Sequence, residues 1–159
     1  MIELLIVIAI IAILAAVAFV ALDPLTRFKD SRDSRRWQDI SSIADAIIVN
    51  QVDHGGNYFT ALKNIPVASS TERFMIGTGT SGCETYDAYC DSLVATSTNC
   101  IDLADLVSDG YLGAVPTSPD GAGSWSASSS GYTLQKQANG SIIVRSCESE
   151  NSNEIKVIR

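Results

Sequence analysis

Nineteen consecutive apolar residues, Leu4 to Leu22, follow a single acid, Glu3, without interruption. As a helix rising about 1.5 Å per residue, the run is roughly 28 Å long, close to the hydrocarbon thickness of a bilayer. Thirteen of the nineteen are Leu, Ile, Val or Phe, and together they favour a membrane by on the order of 6 kcal/mol. A carboxylate costs up to about 3 kcal/mol at the bilayer centre and less at the edge, where Glu3 sits. Insertion therefore wins. A cleavable signal peptide would bring a basic stretch and a shorter core of about 7–15 residues. The chain reads as a greasy helix with one acid at its tip, carrying a soluble cargo.

The string Met1-Ile2-Glu3-Leu4-Leu5-Ile6-Val7-Ile8-Ala9-Ile10-Ile11-Ala12-Ile13-Leu14-Ala15-Ala16 resembles the N-terminus of type IV pilins and pseudopilins, the class with an N-methylated first residue. The mature family sequence begins Phe-Thr, then an aliphatic residue, Ile and Glu, so Met1 matches its third position. The resemblance implies a helix that stores subunits in the inner membrane and then packs them into a helical filament of identical subunits, with the help of a pilus assembly machinery. It makes Glu3, Leu4, Leu5, Ile6, Val7, Ile8, Ile10, Ile11, Ile13 and Leu14 the assembly residues. Glu3 would accept a charge-assisted hydrogen bond from a neighbour's N-terminal amine, since a buried carboxylate is tolerable only when paired. The family often carries a helix-breaking proline late in the apolar run; Val20 stands there, and the first proline is Pro24.

Charge is uneven along the 159 residues, whose net charge is −7. Residues 27–36 hold five bases (Arg27, Lys29, Arg32, Arg35, Arg36) against Asp30 and Asp33, whereas the chain beyond carries 14 acids and 6 bases. An acidic head argues against nucleic-acid binding by this subunit alone, because that binding depends on Lys and Arg neutralising phosphates. The basic block reads either as a solvated helical face with acid–Arg pairs or as a contact surface for the acidic heads of neighbours. By the positive-inside rule it would hold the C-terminal part in the cytoplasm. Cys83, Cys90, Cys100 and Cys147, none in a zinc-type spacing, point instead to disulfides and an oxidising exterior. The cysteines prevail: the head is expected outside the cytoplasm, first at the inner membrane and then in an extracellular filament.

Four cysteines permit three pairings. The expected one joins Cys83 to Cys90 across the short segment CETYDAYC, and Cys100 to Cys147 across a loop worth about 3–4 kcal/mol in the chain-entropy model.

Three segments are expected: an apolar helix over 1–24, an amphipathic helix over 25–54, and a head over 55–159. Trp37, Ile40, Ile43, Ala44, Ile47 and Ile48 fall at helical spacing, with Asp33, Gln38, Asp39, Ser42 and Asp45 between or opposite. Helix is expected to run through Phe19 and to bend or break at Leu22–Pro24, then to end near Asp53-His54-Gly55-Gly56. Residues 55–98 read as mostly irregular, with short apolar pieces at Phe59–Leu62 and Ile65–Val67. Cys100 to Val107 reads as a short helix with Asn99 as its cap and Gly110 beyond its end. Tyr132–Lys136, the Asn139-Gly140 turn and Ser141–Cys147 read as a hairpin, and Ile155–Arg159 as an edge strand. The fold class is α+β, a long N-terminal helix packed on a small antiparallel sheet, and this layout also resembles the pilin-type head.

Nothing in the chain calls for an enzyme, a cofactor or a metal. His54, the one histidine, lies in a Gly-rich loop and reads as exposed. Gly77-Thr78-Gly79-Thr80-Ser81-Gly82 matches G-x-G-x-x-G, but no apolar strand leads into it and Cys83 follows, so it reads as a flexible loop. Asp102, Asp105 and Asp109 lack the turn and the oxygen count that calcium prefers. The reading that follows is a type IV pilus subunit. A pseudopilin of a type II secretion system, toward which Pro119-Asp120-Gly121 leans, and a monomeric membrane-anchored binding module are the alternatives.

Overall fold

The chain sets out as two helices separated by one residue. The computed structural model describes residues 1–66, 73–90 and 99–159. Helix α1 spans Ile2–Leu22 and helix α2 spans Pro24–Asp53, with Asp23 between them at φ 35° and ψ 71°. The break has a local cause. Pro24 disfavours helical backbone at the residue before it and starts the next helix well, its fixed φ suiting the first helical position. Asp tolerates the left-handed region better than most residues, and here its carboxylate accepts the hydroxyl of Thr26 at 2.6 Å. The expected break at Leu22–Pro24 is therefore found at Asp23.

Four strands, β1 (Phe74–Met75), β2 (Tyr132–Lys136), β3 (Ile142–Ser146) and β4 (Lys156–Ile158), form an antiparallel sheet in that order. Thr133 lies opposite Arg145, Leu134 opposite Val144, and Val144 opposite Val157. Because side chains alternate across a strand, this register sends Tyr132, Leu134, Ile142, Val144 and Val157 to one face. There they bury with Ile40, Ile43, Ala44 and Ile47 of α2. The chain is thus α+β, with a long N-terminal helix on a small antiparallel sheet.

Both ends of the predicted hairpin hold. Strand β1 was not legible, because two residues carry no periodicity. The helix expected over Cys100–Val107 is shorter: α4 covers Ala104–Ser108, and the side chain of Asp102, not Asn99, accepts a backbone N–H at its start, from Ala104 at 2.8 Å. Tertiary pairing takes the residues before it. Ile101 bridges Ile76, its N–H donating to Met75 at 2.7 Å and its carbonyl accepting from Gly77 at 2.9 Å. Residues 60–63 form a single helical turn, α3, and Val67 lies outside the described residues, as does the stretch 91–98.

The amphipathic stripe needs one correction. Asp33, expected on the polar side, is buried, and the row runs through it to Arg36, Ile40, Ile43 and Ile47, while Trp37 stands 40% exposed at its margin. Arg36 is wholly buried, so neither reading of the basic block anticipated it. Its guanidinium donates to Ser118 Oγ at 3.2 Å, Asp33 at 2.8 Å, Glu150 at 2.9 Å, the Pro119 carbonyl at 3.0 Å and Glu148 at 3.3 Å. Arg32 adds a two-pronged pair to Glu150. Asp33 in turn accepts the backbone N–H groups of Glu150, Asn151 and Ser152 at 2.9–3.2 Å. The expected acid–Arg pairing of an exposed face survives at Arg35, 3.8 Å from Asp39.

Glu148 is clasped by a loop, accepting from the backbone N–H of Ala122 at 3.2 Å and from that of Gly123. A side chain at Gly121 would overlap the Glu148 carboxylate and displace it from the loop.

Removing one partner of such a cluster strands buried charge, at about 3–5 kcal/mol. Arg36→Met should lower the stability of the detergent-solubilised chain by that amount, measured by denaturant unfolding; a loss under about 1 kcal/mol would contradict the role given to the cluster. The pH dependence follows from the carboxylates. Burial alone would raise Asp33, but three backbone N–H groups and Arg36 hold it below its ordinary 3.8. Hydrogen bonds from Arg32, and then against burial from Arg36, hold Glu150 below 4.5. Carboxyls depressed in the folded state contribute stability above their unfolded values and lose it as pH falls through the folded ones. The melting temperature should fall steadily below about pH 4, and a profile flat to about pH 2 would contradict the coupling.

Candidate functional site

Helix α1 forms because its alanines and leucines are strong helix formers, but among the described residues nothing in the head covers it. From Ile2 to Ala21 every side chain is exposed, and the large apolar ones range from 51% at Ile8 to 79% at Val20. Contiguous apolar surface beyond a few hundred Å² marks contact with a membrane or another protein. By length and composition α1 can cross a membrane, as a span or as a signal sequence. All ten sequence-predicted assembly residues lie on it, and the fold brings none of them to the head. Glu3 occupies the first turn, where the helix dipole favours negative charge, and makes no ion pair among the described residues.

The second sequence-predicted group, the cysteines, is fully oxidised but paired differently. Cys83 bonds Cys100 and Cys90 bonds Cys147. The expected Cys83–Cys90 and Cys100–Cys147 links are therefore wrong. Cys83–Tyr89 coils into a 3₁₀ helix, and at about 2 Å rise per residue Cys83 and Cys90 lie roughly 14 Å apart, beyond the reach of a disulfide. Backbone pairing chooses the partners instead: Cys100 N–H donates to the Gly79 carbonyl at 2.9 Å and Cys147 N–H to Gly131 at 2.9 Å. The two bridges, with Met75 and Trp125, make a second small core. By the sheet register, Met75 and Cys147 point away from α2.

The G-x-G-x-x-G segment belongs to this second core rather than to a phosphate. It is not a free loop: Thr78 and Gly79 donate to the Ala127 and Ser128 carbonyls, each at 3.0 Å. A Cβ at Gly77 would overlap the Ser128 backbone, so glycine serves close backbone approach.

A third feature was not foreseen. Where α2 ends, a cleft of about 420 Å³ is lined by Asn50, Tyr58, Phe59, Lys63, Asp105 and Asp109, among others. Asn50 is 1% exposed, and among the described residues neither its carboxamide oxygen nor its nitrogen has a hydrogen-bond partner. His54 sits at the rim as the C-terminal cap of α2, its Nδ1 2.8 Å from the Asn50 carbonyl and its ring edge-on to Tyr111. Tyr111 donates its hydroxyl to Asp53 at 3.0 Å. The signal in the sequence was slight: one Asn ending an apolar stripe.

Compared with protein-family models, with curated proteins and with solved structures, the chain matches none.

The observed bridges span 17 and 57 residues, worth about 3 and about 4 kcal/mol in the chain-entropy model. Peptide mapping without reduction should recover Cys83–Cys100 and Cys90–Cys147 only. Removing Cys90 and Cys147 together should cost about 1 kcal/mol more than removing the other pair. Recovery of a Cys83–Cys90 peptide would contradict the pairing.

Proposed function

We infer that the chain is a structural subunit of an extracellular type IV pilus filament, assembling through α1. One observation carries the reading: an apolar helix whose side chains from Ile2 to Ala21 are all exposed, with a lone acid in its first turn. A plain membrane anchor has no use for Glu3, and no ion pair among the described residues explains it. In a dry filament core, a carboxylate is tolerable beside a positive group from another copy, and the N-terminal amine of a neighbour has the right charge at the right end of the helix. The pilin-type arrangement, α2 against the sheet and α1 free, is part of the same reading.

Two disulfides suit a head that works outside the cytoplasm, where such bonds persist. Before assembly α1 holds the subunit in the inner membrane; the assembly machinery then extracts it. Pro119-Asp120-Gly121, which leans toward a secretion pseudopilin, has a structural use here. The Pro119 carbonyl accepts from Arg36, Asp120 accepts the Trp125 N–H at 3.1 Å, and Gly121 leaves room for Glu148.

Glu3→Ala separates assembly from insertion. The substitution removes a cost of burial, so membrane-inserted subunit should persist in the producing cells while fibres seen by electron microscopy become rare. Fibres in normal number and length from the variant would overturn the proposal. Short stubs in the wild type would favour the pseudopilin, and none at all the anchored module.

A further inference from the structure

We propose that the cleft at the end of α2 receives the basic start of α2 from a second copy of this chain, so that heads dock head to tail. This rests on the filament reading above and names a contact that α1 does not make.

The two surfaces are complementary in kind. At the start of α2, before its first buried residue Asp33, Leu25 and Phe28 are 72% and 64% exposed. Between and beside them, Arg27 and Lys29 are exposed and make no ion pair among the described residues, while the acids of the same stretch, Asp23 and Asp30, accept hydrogen bonds from Thr26 and Asn151. Arg32 and Arg36, by contrast, are committed to Glu148 and Glu150. At the other end, the cleft sets the aromatic rings of Tyr58 and Phe59 beside two exposed carboxylates, Asp105 and Asp109, against the one ammonium of Lys63. Apolar and basic groups thus face apolar and acidic ones.

Asn50 supplies an independent pointer to an occupant. A buried carboxamide left without partners costs about 1–3 kcal/mol, and an arriving guanidinium or ammonium would donate to its oxygen. The chain's own start of α2 cannot reach the cleft. Lys29 and Asn50 lie 21 residues apart on the same helix, about 31 Å at 1.5 Å per residue. An α2 start seated in the cleft therefore belongs to another copy, and a contact between two different surfaces of one chain is heterologous, the kind that propagates into open filaments.

Charge exchange tests the contact in producing cells, with fibres counted by electron microscopy and oxidised subunit followed on non-reducing gels. Asp105→Lys with Asp109→Lys, and separately Arg27→Glu with Lys29→Glu, should each reduce fibres about tenfold or more by placing like charges together. Combining all four should return fibres to within about threefold of wild type. Should the lysine variants fail to accumulate, Asp105→Asn with Asp109→Asn replaces them and should lower fibre number about threefold. Wild-type fibre numbers from the reversed or neutral variants overturn this contact and leave the filament reading standing. Failure of the fourfold variant to recover, with oxidised subunit present, also overturns the contact. Absence of fibres from the wild type overturns both.

Discussion

The guanidinium of Arg36 has no exposed surface, and its hydrogen bonds join parts of the chain more than a hundred residues apart. Asp33 stands one turn away on α2, Ser118 and Pro119 come from the loop ahead of β2, and Glu148 and Glu150 follow β3. An ion pair of this kind is no cheap source of stability, since desolvation offsets much of the attraction. Its effect is to specify: few arrangements of these segments satisfy every donor of a buried arginine. Arg36 thereby determines where the C-terminal chain lies along α2. Tyr132 continues the same seam, donating its hydroxyl to Asp39 at 2.6 Å; burial first, and then that carboxylate, push it well above its ordinary range.

The sheet is covered on both faces by different means. On one, α2 supplies five buried apolar side chains, Ile40, Ile43, Ala44, Ala46 and Ile47, to a core that also takes in Leu62, Leu103, Leu106 and Leu112. On the other, two disulfides with Met75 and Trp125 substitute for a second layer. A small head cannot bury enough apolar surface on two faces, and covalent links replace some of what burial would contribute. The close backbone packing at Gly77 belongs to the same economy of space. The consequence for α1 is that the head is complete without it, so its apolar surface stays available for a membrane or for other copies.

Much of this was legible beforehand because it depends on neighbours in the chain. The apolar run, the break beside Pro24, the glycine stop after Asp53 and the β2–β3 hairpin around Asn139-Gly140 all follow from local propensity and periodicity. The failures share a cause. Trp37 was placed inward and Asp33 outward by hydropathy, yet Glu148 and Glu150, arriving from beyond β3, make position 36 the buried one. Cys83 and Cys90 were paired because they are close in sequence, whereas a 3₁₀ helix holds them apart. Residues 100–101 were read as helix by their pattern, and pairing with Met75 and Gly79 drew them into the sheet.

By itself, then, the sequence determined the uncovered apolar helix, its single acid, the α+β layout and the oxidised state suggested by four cysteines, since each is set by composition or by spacing within a few residues. Tertiary structure alone decided which cysteines meet, which arginine is buried, why the glycines near Cys83 are needed, and that Asn50 ends in an acidic cleft. Those outcomes depend on groups brought together from distant parts of the chain, where burial and hydrogen-bond satisfaction outweigh local preference.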